Sequence, residues 1–96
     1  MKKELEISYF KEKFIEETSV ALISIIVENI EKTEELNRIL HEYKDYIIGR
    51  MGIPYKAKNI SVISVAVDAP QDETNALTGK LGRIDGISTK TTFSNH

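Results

Sequence analysis

The chain contains no cysteine and no tryptophan, only two prolines, and two histidines in 96 residues. Without cysteine it can form no disulfide, offer no thiolate to zinc or to an iron–sulfur cluster, and present no cysteine nucleophile. A charge excess is also missing. Thirteen basic residues stand against fifteen acidic ones, for a net charge of −2. Nucleic-acid binding runs on concentrated positive charge, so no direct nucleic-acid partner is expected. Long hydrophobic runs are absent too. The longest, Val20 to Val27, spans eight positions and includes Ser24, far short of the roughly 20 needed to cross a bilayer. The opening Met1-Lys2-Lys3 is followed by Glu4, Glu6, Lys11, Glu12 and Lys13 rather than by the apolar core of a signal peptide. A cytoplasmic protein is expected, with no membrane partner.

What is present suits one small domain. Hydrophobic residues make up 41% and charged residues 29%, a globular balance. A chain of this length buries only about 60–70% of its unfolded surface, so a ligand site belongs in a surface groove or between subunits. Residues 1–18 mix charges with Leu5, Ile7, Phe10, Phe14 and Ile15 and form an N-terminal extension; residues 19–96 form the domain. Val20–Val27 is apolar on both alternating faces, the pattern of a central strand. Thr33 is placed to cap a helix whose first turn holds Glu34 and Glu35. Leu36, Ile39, Leu40, Tyr43 and Ile47 then mark one helical face, which predicts a helix running to Gly49. Gly52 and Pro54 keep residues 50–57 out of helix, and proline favours an edge strand there. Lys58-Asn59 makes a turn into a second central strand at residues 60–67. Asp68-Ala69-Pro70 opens a second helix, with Asp68 as its capping carboxylate and Leu77, Leu81 and Ile84 as its apolar face. Asp85-Gly86 ends it. Ile87, Thr89, Thr91 and Phe93 then alternate with polar residues as a half-exposed edge strand.

The order is strand, helix, strand, strand, helix, strand. With right-handed crossovers, two such units give an α+β, ferredoxin-like βαββαβ sandwich: a four-stranded antiparallel sheet with two helices on one face. The central strands are apolar on both sides, yet the helices cover only one. A partner sheet is the simplest cover for the other, so a homo-oligomer, dimer or tetramer, is expected; the alternative cover is the extension 1–18.

Little in the sequence speaks for catalysis. His41 lies on the first helix beside Glu42 and His96 is terminal; no set of convergent ligands accompanies either, so no metal site and no cofactor is expected. Glu34-Glu35 and Asp72-Glu73 sit at helix starts, where the dipole accounts for them. Gly79 and Gly82 are less ordinary, because glycine inside a helix costs about 1 kcal/mol relative to alanine. Either a helix packs closely there or a small ligand lies on bare backbone, flanked by Lys80 and Arg83. The segment is no phosphate loop, lacking the required spacing. Arg50, Gly52 and Tyr55 form the second candidate, either a kinked edge strand or the wall of a polar pocket. With Lys56 and Lys58 close by, an anionic small molecule is the expected ligand. The candidate ligand-binding set is therefore Arg50, Gly52, Tyr55, Gly79, Lys80 and Arg83, with no catalytic residue.

The stretches Arg50-Met51-Gly52-Ile53-Pro54-Tyr55, Ala76-Leu77-Thr78-Gly79-Lys80-Leu81-Gly82-Arg83-Ile84 and Gly86-Ile87-Ser88-Thr89-Lys90-Thr91 resemble a small bacterial family of iron-only hydrogenase system regulators. The resemblance covers about residues 18 to 95, and Leu77–Gly82 is its most specific part. It implies an ACT-like fold, related to the C-terminal ligand-binding domain of the nickel-responsive repressor, and oligomers built through the sheet. The repressor's histidine and cysteine ligands are missing here, so nickel binding does not carry over. The extension 1–18 is too short for that repressor's DNA-binding unit. What the resemblance implies is a stand-alone regulatory module, not an enzyme, binding a small metabolite between subunits. The alternative is an interaction domain with no small-molecule ligand.

Overall fold

The computed structural model describes residues 17–95; the expected roles of residues 1–16 and of His96 lie outside it. Strand β1 spans Ser19–Val27, helix α1 Thr33–Glu42, β2 Ile47–Tyr55, β3 Ile60–Ala69, α2 Gln71–Gly82 and β4 Ile87–Phe93. Short 3-10 turns at Ile30–Lys32, Lys44–Tyr46 and Lys56–Lys58 join them. The sheet order is β2-β3-β1-β4, antiparallel at every pairing. This is the expected ferredoxin-like α+β sandwich, with β1 and β3 central and β2 and β4 at the edges.

Strand parity builds the core. Ala21, Ile23, Ile25 and Val27 of β1 and Ile63, Val65 and Val67 of β3 are all but inaccessible, because alternate side chains share one face. Leu36, Leu40 and Tyr43 from the first helical segment and Leu77, Leu81 and Ile84 from the second pack on them. The two layers close at Gly86. Its φ of 83° suits glycine, and a Cβ there would lie 3.3 Å from that of Asn29. Its carbonyl accepts the Glu28 amide at 2.7 Å, which ties the turn before β4 to the loop after β1.

Several boundaries differ from the expectation. Helix α1 ends at Glu42, not near Gly49; a 3-10 turn follows, and Ile47 already belongs to β2. The tighter turn keeps Tyr43, Tyr46 and Ile47 against the core, so apolar spacing continues after the helix has stopped. Strand β2 accordingly begins at residue 47 rather than 50 and ends at Tyr55, with a bulge between Ile47 and Gly49. Thr33 is not the cap of α1. The cap position falls on Lys32, without a side-chain bond. Asn29 instead caps the preceding turn, its Oδ1 accepting the Glu31 amide at 3.0 Å. Asp68 does not cap α2 either. It pairs with Val20 within the sheet, since β3 runs on to Ala69, and Pro70 occupies the cap position.

Candidate functional site

The register of β2 against β3 sorts the candidate residues onto two faces. Arg50 pairs with Val65, Gly52 with Ile63 and Pro54 with Ser61; Ile63, Val65 and Ser61 point to the helix side. Arg50 and Gly52 therefore lie under α1. Met51, Ile53 and Tyr55 pair with Ser64, Val62 and Ile60 and lie on the opposite, open face. Arg50 and Tyr55 thus do not share a pocket wall.

On the helix side the edge of the sheet and the start of α1 enclose a hollow of about 310 Å³. Arg50 stands at one end and its Nη2 donates to Asn37 Oδ1 on α1 at 2.9 Å. Gly52 lies in the middle, where a Cβ would sit 3.7 Å from Ile63 Cγ1, an ordinary contact. Pro54 and Ser61 line the far end, and Ile30 and Thr33 form the opposite wall. A second shallow hollow on the other side of Arg50 includes His41, Lys44 and Asn37. His41 is exposed there.

Lys80 is separate from this group. It projects from α2 toward the end of α1, where its Nζ lies 3.4 Å from Glu42 Oε1 and 5.1 Å from the centroid of the Tyr43 ring. Together with Asp45, Tyr46 and Glu73 these residues line a cleft of about 440 Å³. The Tyr43 side chain first, and the Glu42 carboxylate second, hold the Lys80 ammonium above its ordinary pKa. Gly79 and Arg83 are exposed. A Cβ on Gly79 or on Gly82 would meet nothing within 4 Å, so no helix among the described residues packs against them. Among the described residues, no group of three or more metal-ligating side chains converges.

The open face is the largest feature left without a cover among the described residues. Val20 and Leu22 of β1, Val62 of β3 and Met51, Ile53 and Tyr55 of β2 are 39–62% exposed. Ile53, Val62 and Ile26 stand directly opposite one another across three strands, forming one apolar row. Among the described strand residues, charge reaches this face through Asp68 near the end of β3 and Lys90 on the edge strand β4, beside Ser24.

These features define a ferredoxin-like, ACT-like α+β module whose sheet has one apolar face left uncovered by the described residues. The chain belongs to the TM1266-like family, described as "Iron-only hydrogenase system regulator, putative", which it matches over residues 19–91. Among solved structures it is similar to uncharacterized protein TM1266 from Thermotoga maritima, with 33% identity and a TM-score of 0.77 over 80% of this chain and 98% of that one. It is also similar in fold to a formyltetrahydrofolate deformylase from Pseudomonas putida KT2440, with 16% identity, a TM-score of 0.60, and coverage of 80% of this chain but 30% of the enzyme. A comparison with curated proteins finds no match. No helix among the described residues is long and apolar enough to cross a membrane.

Proposed function

We infer that this chain is a cytoplasmic, non-enzymatic regulatory module that pairs with its own copies through the open sheet face and responds to a small anionic metabolite. The carrying observation is that face. Six large apolar side chains, Val20, Leu22, Met51, Ile53, Tyr55 and Val62, stay exposed on it, in a contiguous patch of the kind that marks an interface. Its interior carries no charge that would demand a partner of opposite sign. An uncharged apolar surface is its own complement, which is what a two-fold interface between identical subunits requires. The family description, a regulator, agrees with a role in signalling rather than chemistry.

A small domain with no deep internal pocket gains a useful ligand response by linking binding to assembly. The hollow at Arg50 supplies a cationic group for an anionic effector, whereas the cleft at Lys80 is lined by the carboxylates of Glu42, Asp45 and Glu73. Native mass spectrometry at micromolar protein tests both parts. An oligomer whose subunit number or stability shifts with a small carboxylate supports the reading. An oligomer indifferent to every small anion leaves an interaction domain without a ligand. A monomer under all conditions overturns the self-assembly.

A further inference from the structure

The hollow under α1 sets an arginine and a serine hydroxyl at the two ends of an apolar floor. Ser61 is only 9% exposed. It lines the hollow, yet among the described residues its hydroxyl takes part in no hydrogen bond. Unlike Thr74 Oγ1, its oxygen is not sealed from solvent, so it is open to bond a group bound in the hollow. Resting on the small-effector reading above, we propose that this hollow binds a small carboxylate with a mainly apolar body and a second polar group, held between Arg50 and Ser61.

The ends and the middle of the hollow fit different parts of such a molecule. Arg50 and Ser61 lie at opposite ends, since Arg50 and Pro54 are four positions apart on β2 and Ser61 pairs with Pro54. Among the described residues the Arg50 guanidinium makes one hydrogen bond, to Asn37. A guanidinium has five N–H donors in a planar fork, so a bidentate pair remains open for a carboxylate. Between the ends, Gly52 contributes no side chain, and Ile63 with Ile30 gives an apolar surface. The first-turn carboxylates of α1, Glu34 and Glu35, line another hollow with Glu31 and Arg38. At about 310 Å³ the space lies at the small end of ligand pockets, roughly 300–1,000 Å³, which limits the ligand to a single ring or a short chain.

Three probes separate the contributions: 4-hydroxyphenylacetate, phenylacetate without the hydroxyl, and 4-hydroxyphenylacetamide without the charge. Titration of the full chain by ¹H–¹⁵N NMR is expected to move the amides around residues 30–33, 50–53 and 61–63 with the first probe at millimolar concentration. Loss of the carboxylate, or Arg50→Gln, should weaken binding about tenfold or more, and loss of the hydroxyl, or Ser61→Ala, about 2–10-fold. Gly52→Val, which fills the middle, should abolish binding, while Gly52→Ala retains a folded spectrum and weaker binding. Shifts that ignore these residues, or that persist unchanged in Gly52→Val, overturn the site. Equal response to all three probes overturns the Arg50–Ser61 assignment. Native mass spectra recorded on the same samples keep the two readings apart. Binding without any change of assembly leaves the pocket standing and removes the regulatory link. An intact oligomer without binding removes the pocket alone.

Discussion

At the residue scale, two positions carry polar or conformational costs that the fold does not recover. Thr74 is 1% exposed, and its Oγ1 has no hydrogen-bond partner among the described residues. Valine has nearly the same shape without the hydroxyl, so Thr74→Val is expected to stabilise the domain by about 1 kcal/mol. Urea unfolding followed by circular dichroism measures this; a loss of stability would mean that the hydroxyl holds a bond after all. Gly79 is the second. It lies inside α2, is exposed, and has open space where a Cβ would stand. Gly79→Ala should therefore raise the stability of an isolated protomer by about 0.5–1 kcal/mol. The same substitution examines the face it lies on. If the variant is more stable to urea but assembles as before, the glycines serve no contact between copies. If assembly weakens while protomer stability rises, the bare backbone of α2 is a contact surface. The two glycines were conspicuous in the sequence because they contradict helix propensity. The unpartnered Ser61 was not, although it stands in the same inward parity as Ile63, Val65 and Val67; a serine in that series was the available signal.

At the element scale, the two strands with β-branched residues on both faces were readable directly, as was the inward face of α2. The end of α1 was not. Tyr43 and Ile47 continue the i, i+3, i+4 pattern of Leu36 and Leu40, and periodicity alone does not distinguish a helix from a helix followed by a 3-10 turn that stays on the core. Nor does periodicity reveal register. Arg50 and Tyr55 look like neighbours on one loop, but being an odd number of residues apart on a strand they point to opposite faces. The separation of Lys80 from Arg50 likewise follows from the placement of α2 beside the end of α1. That contact predicts a pH effect. Lys80 is held above its ordinary pKa by Tyr43 and then Glu42, so its folded-state value exceeds the unfolded one. The stabilisation is then complete below the unfolded pKa and is lost as pH rises through the folded value, in the alkaline range above about 10.5. Because the pair is solvent-exposed the effect is small and screened by salt. Thermal melts of wild type and Lys80→Met between neutral and alkaline pH should converge above this range, and a gap that stays constant with pH would show that the ion pair and cation–π contact contribute nothing.

At the scale of the whole molecule, the decisive asymmetry is that two helices cover one face of a four-stranded sheet whose central strands are apolar on both. The sequence made this imbalance visible in Val20–Val27 and residues 60–67, because each strand alternates between two apolar sets. The structure adds the edge strand β2, whose Met51, Ile53 and Tyr55 widen the patch beyond the two central strands. Val62 is at its middle, between Ile26 and Ile53, and Leu22 lies nearer the far end. A carboxylate at either position leaves the helix-side core untouched but becomes buried and unpaired when two such faces meet, which costs several kcal/mol per interface. Val62→Glu and Leu22→Glu are therefore each expected to reduce the subunit number in native mass spectrometry and sedimentation velocity while the far-ultraviolet circular dichroism stays that of the wild type. A two-fold interface presents each position twice, and the effect of Val62→Glu, flanked by Ile26 and Ile53, should exceed that of Leu22→Glu, flanked by Ala66 and Thr92. An oligomer that survives both substitutions with its circular dichroism unchanged would place the contact between copies elsewhere, and the outer face of α2, with Gly79 and Gly82, would be the next surface to alter.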